Sequence, residues 1–215
     1  MLPYALHEPK KRLLLIRHGQ AGDQLIKRYI GQMDTRLTSQ GQRRIQALAR
    51  ALAPVPLERI VCSDLTRCVQ TAGMLAKAHG LAPEPHADLR EICLGAWEGL
   101  PMDQVKKNDP EAFAQRGRDM AGYRPPGGES FSDLLARVLP VFSALMAEAT
   151  GSVAIVSHAG VNRVILCHWL GLGVDKVFYF GQDPGCLNIV QPNSRDGIRL
   201  VAHNVVFMDN SRKRS

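Results

Sequence analysis

The sequence lacks any stretch that approaches eighteen consecutive apolar residues, and this absence predicts a protein without a transmembrane helix. Its N-terminal residues carry their charges after a short apolar patch, the reverse of a secretory signal, so we expect a cytoplasmic protein with no membrane partner. Glycine (19 residues) and proline (13 residues) are too few and too scattered for a collagen-like or low-complexity chain. Apolar residues at 45% and charged residues at 22% are ordinary for a folded globular protein.

Cysteine is also scarce, with five widely spaced residues and no C-x-x-C pair. An odd number in this arrangement argues against a disulfide framework and against a zinc site. We therefore expect reduced thiols that are mostly buried, and no bound metal.

Acidic residues are outnumbered, since 27 Lys and Arg residues oppose 20 Asp and Glu residues and give a net charge of +7. Such an excess favours an anionic partner: nucleic acid, an acidic lipid or a phosphorylated metabolite. Part of it lies at residues 10–12 and 212–214, which we interpret as solvated tails. No RNA-binding aromatic signature, zinc finger or helix-turn-helix accompanies these residues, so we expect no nucleic-acid partner. The sequence leaves open whether the chain forms a homodimer.

Strand and helix patterns alternate along the chain. Short apolar runs at 13–16, 59–62 and 153–156 are typical of strands buried on both faces of a parallel sheet. Runs at 187–190 and 198–201 flank an Asp-Gly turn signal and predict an antiparallel hairpin. The expected fold is α/β, a three-layer α/β/α sandwich whose mostly parallel sheet has an antiparallel edge strand.

Polar residues predict where several helices begin. Thr38 and Ser63 are each expected to be the N-cap of the helix that follows, because their side chains can accept a hydrogen bond from a free backbone N–H. Ser130, with Asp133 three residues later, has the spacing of a capping box.

Residues 97–128 have the least regular pattern in the chain, with many glycines and prolines. We expect one helix there, at about 101–116, within a lid-like insertion that covers or borders a site. The predicted organisation is an N-terminal tail (1–11), a single domain (12–207) and a basic C-terminal tail (208–215).

Two histidines stand in the same relation to two predicted strands. Arg17-His18-Gly19 follows the first run of four apolar residues, and Ser157-His158 follows the third. Because ligands bind at the carboxyl ends of strands in an open α/β sheet, we interpret the matched pair as part of a binding site.

Arginines at the same edge predict an anion site. Arg67 is expected near the first turn of the helix after the second strand, where free backbone N–H groups already favour an anion. Its guanidinium and that of Arg17 match the oxygens of a phosphate dianion. Together with His18 and His158, these arginines predict a phosphate pocket.

A histidine at the floor of a phosphate pocket suggests phosphoryl transfer to nitrogen. The attacking imidazole must be neutral, and neighbouring arginines help because like charges disfavour the imidazolium. A hydroxyl leaving group also needs a proton, which one of the 20 carboxylates must supply as a general acid.

These blocks resemble the histidine phosphatase superfamily, whose members have the phosphoglycerate mutase-like fold. The resemblance covers about residues 12–205, with every block in sequence order. The matching blocks are Arg17-His18-Gly19, Arg28-Tyr29-Ile30-Gly31, Ser63-Asp64-Leu65 with Arg67, Leu89-Arg90-Glu91-Ile92, Trp97-Glu98-Gly99, Pro126-Gly127-Gly128-Glu129-Ser130 and Ser157-His158-Ala159-Gly160.

The resemblance implies a role for each core residue. His18 would be the nucleophile that becomes phosphohistidine, and Glu91 the proton donor that later activates water. Arg17, Arg67 and His158 would bind the phosphoryl oxygens. Neither a metal nor an organic cofactor is implied, because catalysis of this kind uses positioning and fixed charge.

The resemblance also implies substrate contacts from Gln24 and Arg28. Two departures from the family pattern fall in the same segment. Gln20-Ala21 stands where members commonly carry Glu-Thr or Glu-Ser, which removes a hydroxyl, and Gln24 stands where an asparagine is common. These changes bear on substrate preference and leave the implied catalytic residues in place.

The block that follows Glu91 is similar to the phosphatase branch, whereas phosphoglycerate mutases carry E-R-x-Y-G after the acid. Hydrolysis of a small phosphorylated substrate is therefore expected, and phosphoglycerate mutase-type transfer is the alternative. Three blocks look most like those of α-ribazole phosphatases, which act on α-ribazole 5′-phosphate in cobalamin nucleotide loop assembly: Arg28-Tyr29-x-Gly31, Trp97-Glu98-Gly99 and Pro126-Gly127-Gly128-Glu129-Ser130. Trp97 could stack on a substrate base or pack the lid. A non-catalytic phosphate-binding regulator on this fold is a further alternative.

Overall fold

The computed structural model describes residues 10–22, 26–193 and 197–208. A six-stranded sheet forms the centre of this region, and its strands in chain order are β1 (Arg12–Arg17), β2 (Leu57–Ser63), β3 (Pro83–His86), β4 (Ser152–Ser157), β5 (Leu187–Asn193) and β6 (Gly197–Val205). Their spatial order is β3-β2-β4-β1-β5-β6. The first four strands pair in parallel, while β5 pairs antiparallel with both β1 and β6. The predicted mixed sheet with an antiparallel edge is confirmed.

Helices cover both faces of the sheet. They are α1 (Ser39–Leu52), α2 (Thr66–His79), α3 (Met102–Asn108), α4 (Pro110–Arg118), α5 (Phe131–Glu148) and α6 (Ala159–Trp169), with 3₁₀ turns at Ala87–Leu89, Gly95–Trp97 and Val174–Tyr179. Alternate residues of β1 point to opposite faces. Leu14 and Ile16 pack with the apolar side chains of α1 and α2, whereas Leu13 and Leu15 pack with those of α5 and α6. This arrangement confirms the three-layer α/β/α sandwich.

The register of β1 against β4 positions the site. All four apolar residues of β1 from Leu13 to Ile16 are fully buried, as expected for a strand covered on both faces. The parallel pairing aligns Arg17 with Ser157 at the last position of both strands. The histidines that follow these two residues therefore leave the sheet side by side.

Two of the three predicted helix starts are confirmed. The Oγ1 atom of Thr38 accepts a hydrogen bond from the Gly41 N–H at 3.0 Å, and Ser130 and Asp133 form a reciprocal capping box at the start of α5. The expectation for Ser63 is wrong, because this residue is still paired with β3 and so belongs to β2. The N-cap of α2 is Leu65, which makes no side-chain capping bond.

The single helix expected at 101–116 is in fact two helices, α3 and α4. They are separated at Asp109, whose backbone is non-helical (φ −140°, ψ 71°). Pro110 explains the break, because a proline lacks the N–H of a helical bond and disfavours helical geometry in the residue before it. The Asp109 carboxylate then caps α4 by accepting from the Ala112 N–H at 3.0 Å.

Several predictions concern residues at or beyond the edge of the described region. Most of the predicted tails, at 1–9 and 209–215, lie outside it, as does Asp196 of the predicted turn. The division into a tail, a domain and a second tail stays a prediction. Among the described helices none is long and apolar enough to cross a membrane. All of the five cysteines except Cys93 are buried, which confirms the expected burial of most thiols.

Candidate active site

The two predicted histidines meet at the carboxyl edge of the sheet. His18 follows β1 and is 8% exposed, while His158 follows β4 and is fully buried. Their ring centroids lie 5.1 Å apart, with an angle of 65° between the ring planes. His158 also serves as the N-cap residue of α6. The strand-end pattern in the sequence therefore corresponds to direct contact between the two rings.

The hydrogen bond of His18 fixes its tautomer. Nδ1 lies 2.7 Å from the carbonyl oxygen of Gly19. Because a carbonyl can only accept, Nδ1 carries the proton and Nε2 keeps its lone pair. Burial, followed by the charges of Arg17 and Arg67, holds the pKa of His18 well below its usual value. The imidazole is thus neutral near pH 7 and has a free nitrogen, as a nucleophile requires.

Gly19 is needed because the chain passes very close to α1 at this point. A Cβ atom on Gly19 would lie 2.9 Å from the carbonyl oxygen of Gly41 and 2.8 Å from Cγ1 of Ile45. The Gly19 N–H also donates to Oγ1 of Thr71 at 3.2 Å. These contacts on both sides hold the carbonyl group that orients His18.

His158 is neutral for related reasons. Burial is the largest cause that lowers its pKa well below the usual value, and electrostatic interactions with His18 and Arg67 lower the pKa further. The Sγ atom of Cys68 lies 3.5 Å from Nε2 of His158. A neutral imidazole retains one N–H that it can donate.

Arg67 lies in the first turn of α2, as predicted, and is only 2% exposed. Its Nη1 donates to the carbonyl of Met33 at 2.7 Å and its Nη2 to the carbonyl of Gly31 at 2.8 Å. Arg17 donates through Nη1 to the carbonyl of Gln182. The Nε atoms of both arginines are buried without a hydrogen-bond partner in the described part of the chain. Two unpaired cationic donors beside His18 suit the oxygens of an anion.

Glu91 reaches this edge from the loop after the 3₁₀ turn at Ala87–Leu89. Its Oε2 accepts from the Gly160 N–H at 3.2 Å, in the first turn of α6, and its Oε1 accepts from the Ile92 N–H at 3.0 Å. Arg137 of α5 holds the loop by donating to the carbonyl of Arg90 at 3.0 Å and to that of Glu91 at 3.2 Å. Two backbone N–H groups thus position the carboxyl group, and the Arg137 side chain holds the loop that carries it.

A cavity of about 360 Å³ opens at this edge. Of the five predicted catalytic and phosphate-binding residues, four line it: Arg17, His18, Arg67 and Glu91. His158 contacts the ring of His18 without lining the cavity itself. Within the described ranges no three His, Cys, Asp or Glu side chains converge as a metal site requires.

The two predicted substrate contacts have different outcomes. Arg28 lines the cavity, and its Nη1 donates to the carbonyl of Gly99 at 2.9 Å. Gln24 lies outside the described residues. Gln20 and Ala21, the two departures from the family pattern, also line the cavity.

Trp97 packs the insertion and does not face the cavity. It is 4% exposed, and its ring lies between those of Tyr29 and Tyr123, with centroid distances of 5.3 and 5.7 Å. Of the two interpretations of Trp97, lid packing is therefore the one that the structure supports.

Two further cavity arginines were not found from the sequence. Arg163 lies in α6, in the second turn after His158, so the reasoning that selected Arg67 as an arginine near a helix start could have found it. Arg116 lies in α4, where the sequence pattern is weakest and gives no signal.

A buried polar network behind Arg17 was also missed. Oε1 of Gln182 accepts from Nδ2 of Asn162 and from Nδ2 of Asn188, each at 3.0 Å. Ser157 Oγ donates to Oδ1 of Asn162 at 2.7 Å. The network joins the ends of β4 and β5 to the carbonyl group that accepts from Arg17, and it depends on contacts that no local pattern encodes.

Comparisons with known proteins agree with the resemblance seen in the sequence. A family model described as the histidine phosphatase superfamily (branch 1) matches residues 13–206. A glucosyl-3-phosphoglycerate phosphatase of Mycolicibacterium vanbaalenii is 36% identical over 174 residues, 77% of this chain and 77% of that protein. The adenosylcobalamin/α-ribazole phosphatase of Escherichia coli is 27% identical over 203 residues, 93% of this chain and 100% of that protein.

Solved structures of phosphatases are also similar to this chain. A mycobacterial glucosyl-3-phosphoglycerate phosphatase in complex with VO3 matches with a TM-score of 0.82 at 31% identity, over 91% of this chain and 99% of that chain. The α-ribazole phosphatase of Shigella flexneri matches with a TM-score of 0.82 at 27% identity, over 93% of this chain and 100% of that chain.

Proposed function

We propose that this chain, a phosphatase that belongs to the histidine phosphatase superfamily, hydrolyses a small phosphorylated metabolite through a phosphohistidine on His18. The observation that carries the proposal is the hydrogen bond from Nδ1 of His18 to the Gly19 carbonyl. It leaves Nε2 as a neutral nucleophile among cationic groups that an anionic phosphate would occupy.

In the first step, Nε2 of His18 attacks phosphorus, so that a P–N bond forms while the bond to the leaving oxygen breaks. Glu91, in its protonated form, gives that oxygen a proton and releases the alcohol. In the second step, Glu91 as a carboxylate takes a proton from water, whose oxygen attacks the phosphohistidine. The P–N bond breaks, inorganic phosphate leaves, and His18 returns to its neutral form.

The phosphoryl group would be held by the groups that surround His18. The unpaired Nε donors of Arg17 and Arg67 support this assignment, because a phosphoryl oxygen would supply the acceptors that they lack. His158 would donate its remaining N–H to the same group. These donors are fixed before the substrate arrives, which is the condition for electrostatic stabilisation of transferring charge.

Two substrates are candidates. α-Ribazole 5′-phosphate is the expectation from the sequence blocks, and the Escherichia coli relative carries the corresponding name. A glucosylated phosphoglycerate is the second, because of the name of the more identical mycobacterial relative and because the cavity has cationic residues beyond those around His18. A contribution of Arg28 to substrate binding is proposed for either candidate.

Phosphate release from an aryl phosphate in EDTA, without added metal, tests the mechanism. We expect wild-type turnover and the loss of activity in His18→Ala to background. A rapid acid-free quench of the wild type should trap phosphoprotein that is stable in base and labile in acid, as phosphohistidine is. His168→Ala is the matched control, because His168 is an exposed histidine of α6 that does not line the cavity.

Turnover that persists in His18→Ala would overturn the assignment of the nucleophile. A wild type that releases no phosphate from the aryl phosphate or from either candidate substrate would favour a mutase or a phosphate-binding protein instead.

A further inference from the structure

The cavity carries more positive charge than a single phosphate needs. Beyond Arg17 and Arg67, its lining includes four more cationic side chains: Lys27, Arg28, Arg116 and Arg163. Glu91 is the one carboxylate residue among the lining side chains that the structure describes. None of these six cations forms an ion pair with a carboxylate in the described residues. Six cationic side chains therefore share one carboxylate at the cavity, among the residues that the structure describes.

Arg116 is held in place by aromatic rings. Its guanidinium carbon lies 5.6 Å from the ring centroid of Tyr29, 5.8 Å from that of Trp97 and 5.7 Å from that of Phe131. Contacts of this kind stabilise and orient a cation without cancelling its charge. No hydrogen bond of the Arg116 side chain is found within the described region, so its donors remain available to a ligand.

Arg163, which lies in α6, is also held by an aromatic ring. Its guanidinium lies 4.9 Å from the ring centroid of Phe178, and its Nε donates to the carbonyl of Phe180 at 3.0 Å. Burial, followed by the nearby charge of Arg17, lowers the pKa of Arg163. The charge of Glu91 acts in the opposite direction and raises the pKa of Arg163. An anion bound near Arg163 and Arg17 would stabilise both cations.

The two arginines are linked through their aromatic partners. The ring of Phe131, under Arg116, contacts the ring of Phe178, under Arg163, edge to face, with centroids 5.9 Å apart. Arg116 comes from α4 of the insertion and Arg163 from α6 of the main sandwich. The aromatic pair therefore links two guanidinium groups that are anchored on different helices, and both arginines line the cavity.

The charge balance indicates what this pair would bind. A phosphate dianion would offset two of the six cationic charges while Glu91 is protonated as the general acid, so the charges of Lys27, Arg28, Arg116 and Arg163 would remain. Guanidinium groups bind carboxylates and phosphates through paired N–H donors. We propose that Arg116 and Arg163 bind a second anionic group of the substrate, a carboxylate or a second phosphate, so that the preferred substrates are phosphomonoesters with two acidic groups.

This inference rests on the proposed function, since it places the reacting phosphate at His18. It also separates the two candidate substrates. A phosphoglycerate derivative has a carboxylate besides its phosphate, whereas α-ribazole 5′-phosphate has no acidic group apart from the phosphate. The pair of arginines favours the first class.

Competitive inhibition of aryl phosphate turnover by matched compounds tests the proposal. In the first pair, 3-phosphoglycerate has a carboxylate where glycerol 3-phosphate has a neutral CH₂OH group. In the second pair, fructose 1,6-bisphosphate has a second phosphate that fructose 6-phosphate lacks. We expect the wild type to bind the doubly acidic member of at least one pair about tenfold more tightly or better, as charge-assisted hydrogen bonds would give. The pair that shows the preference identifies the second group.

Arg116→Met and Arg163→Met then test the two residues. Methionine keeps an unbranched side chain that can pack on the aromatic rings and removes the charge. Each variant should weaken the doubly acidic inhibitor about tenfold or more and change the singly acidic one less than about threefold. Arg118→Met is the matched control, because Arg118 lies on the same helix, pairs with Glu111 and does not line the cavity.

Equal inhibition of the wild type by both members of both pairs would overturn the proposal. The proposal would also be overturned if the two variants bound the singly and the doubly acidic inhibitors more weakly to the same degree, since that result indicates a structural role for the arginines. If the wild type releases no phosphate from the aryl phosphate or from either candidate substrate, the proposed function fails. The same two pairs are then titrated into the wild type by calorimetry. A preference for the doubly acidic compounds that Arg116→Met removes would support the anion site by itself, and the lack of a preference would overturn it.

Discussion

His18 and His158 meet edge to face, with ring centroids 5.1 Å apart. Burial is the largest cause that lowers the pKa of each ring, and the two rings also share the nearby charges of Arg17 and Arg67. Both imidazoles are therefore neutral in the folded protein at a pH where an exposed histidine would be partly protonated.

The two histidines should make the protein less stable in mild acid. Because both folded pKa values lie below the unfolded value of about 6.5, the unfolded chain binds protons first as the pH falls. The stabilisation is present above that value and is lost below it. Each histidine should remove up to about 1.4 kcal/mol of the free energy of unfolding per pH unit. Urea unfolding at about pH 7.5 and about pH 5.5 measures the loss.

A double variant, His18→Asn with His158→Asn, isolates this effect from that of the carboxylates. Its stability should decline less steeply with falling pH than that of the wild type. The same pH dependence in both proteins would show that the histidines are not neutral in the folded state.

Glu91→Gln should lower the single-turnover rate to a degree that depends on the leaving group of the substrate. An alkyl phosphate needs a proton on its leaving oxygen, so we expect its single-turnover rate to fall about 10²–10⁴-fold. Formation of the phosphohistidine from a dinitrophenyl phosphate should be much less affected, because that leaving group departs as an anion. Glu111→Gln, at an exposed position of α4, is the control. A loss of equal size in the two single-turnover rates would argue against the general-acid role.

Gly160→Ala should disturb Glu91 without removing it. A Cβ atom at this position would lie 2.3 Å from Oε1 of Glu91, so the carboxyl group has to move. Because a displacement of about 1 Å at a reacting group can cost about 10²-fold in rate, we expect a loss of that order. Steady-state kinetics on an alkyl phosphate measures it.

Gly73→Ala is the matched glycine substitution. Gly73 lies in α2, and a Cβ atom there would have no neighbour within 4 Å. This variant should keep its activity and gain about 0.5–1 kcal/mol of stability, because alanine favours the helix. Wild-type kinetics for Gly160→Ala would mean that the position of Glu91 does not limit the reaction.

The outcome for particular residues shows where sequence reasoning succeeds. Arg17 ends a short buried strand, and His18 and Arg67 follow such ends. Because these strand ends share one edge of a parallel sheet, a local pattern was enough to predict that the three residues lie together. The predictions for Ser63 and for a single helix at 101–116 were wrong because the boundaries of strands and helices depend on strand pairing and on single residues. Ser63 is paired with β3, and Pro110 interrupts the helix.

Sequence patterns were enough to predict the α/β class, the family resemblance and the residues at the strand ends, because each is encoded in short segments or in ordered blocks. The tautomer of His18, the aromatic contacts of Arg116 and the network around Gln182 became apparent from the folded structure alone. His18 bonds to its chain neighbour Gly19, whose backbone is held in place by α1 and α2, whereas the contacts of Arg116 and the bond between Asn162 and Gln182 join residues far apart in the chain. Their contacts arise from the packing of α4, α5 and α6 around the sheet, for which periodicity and spacing carry no signal.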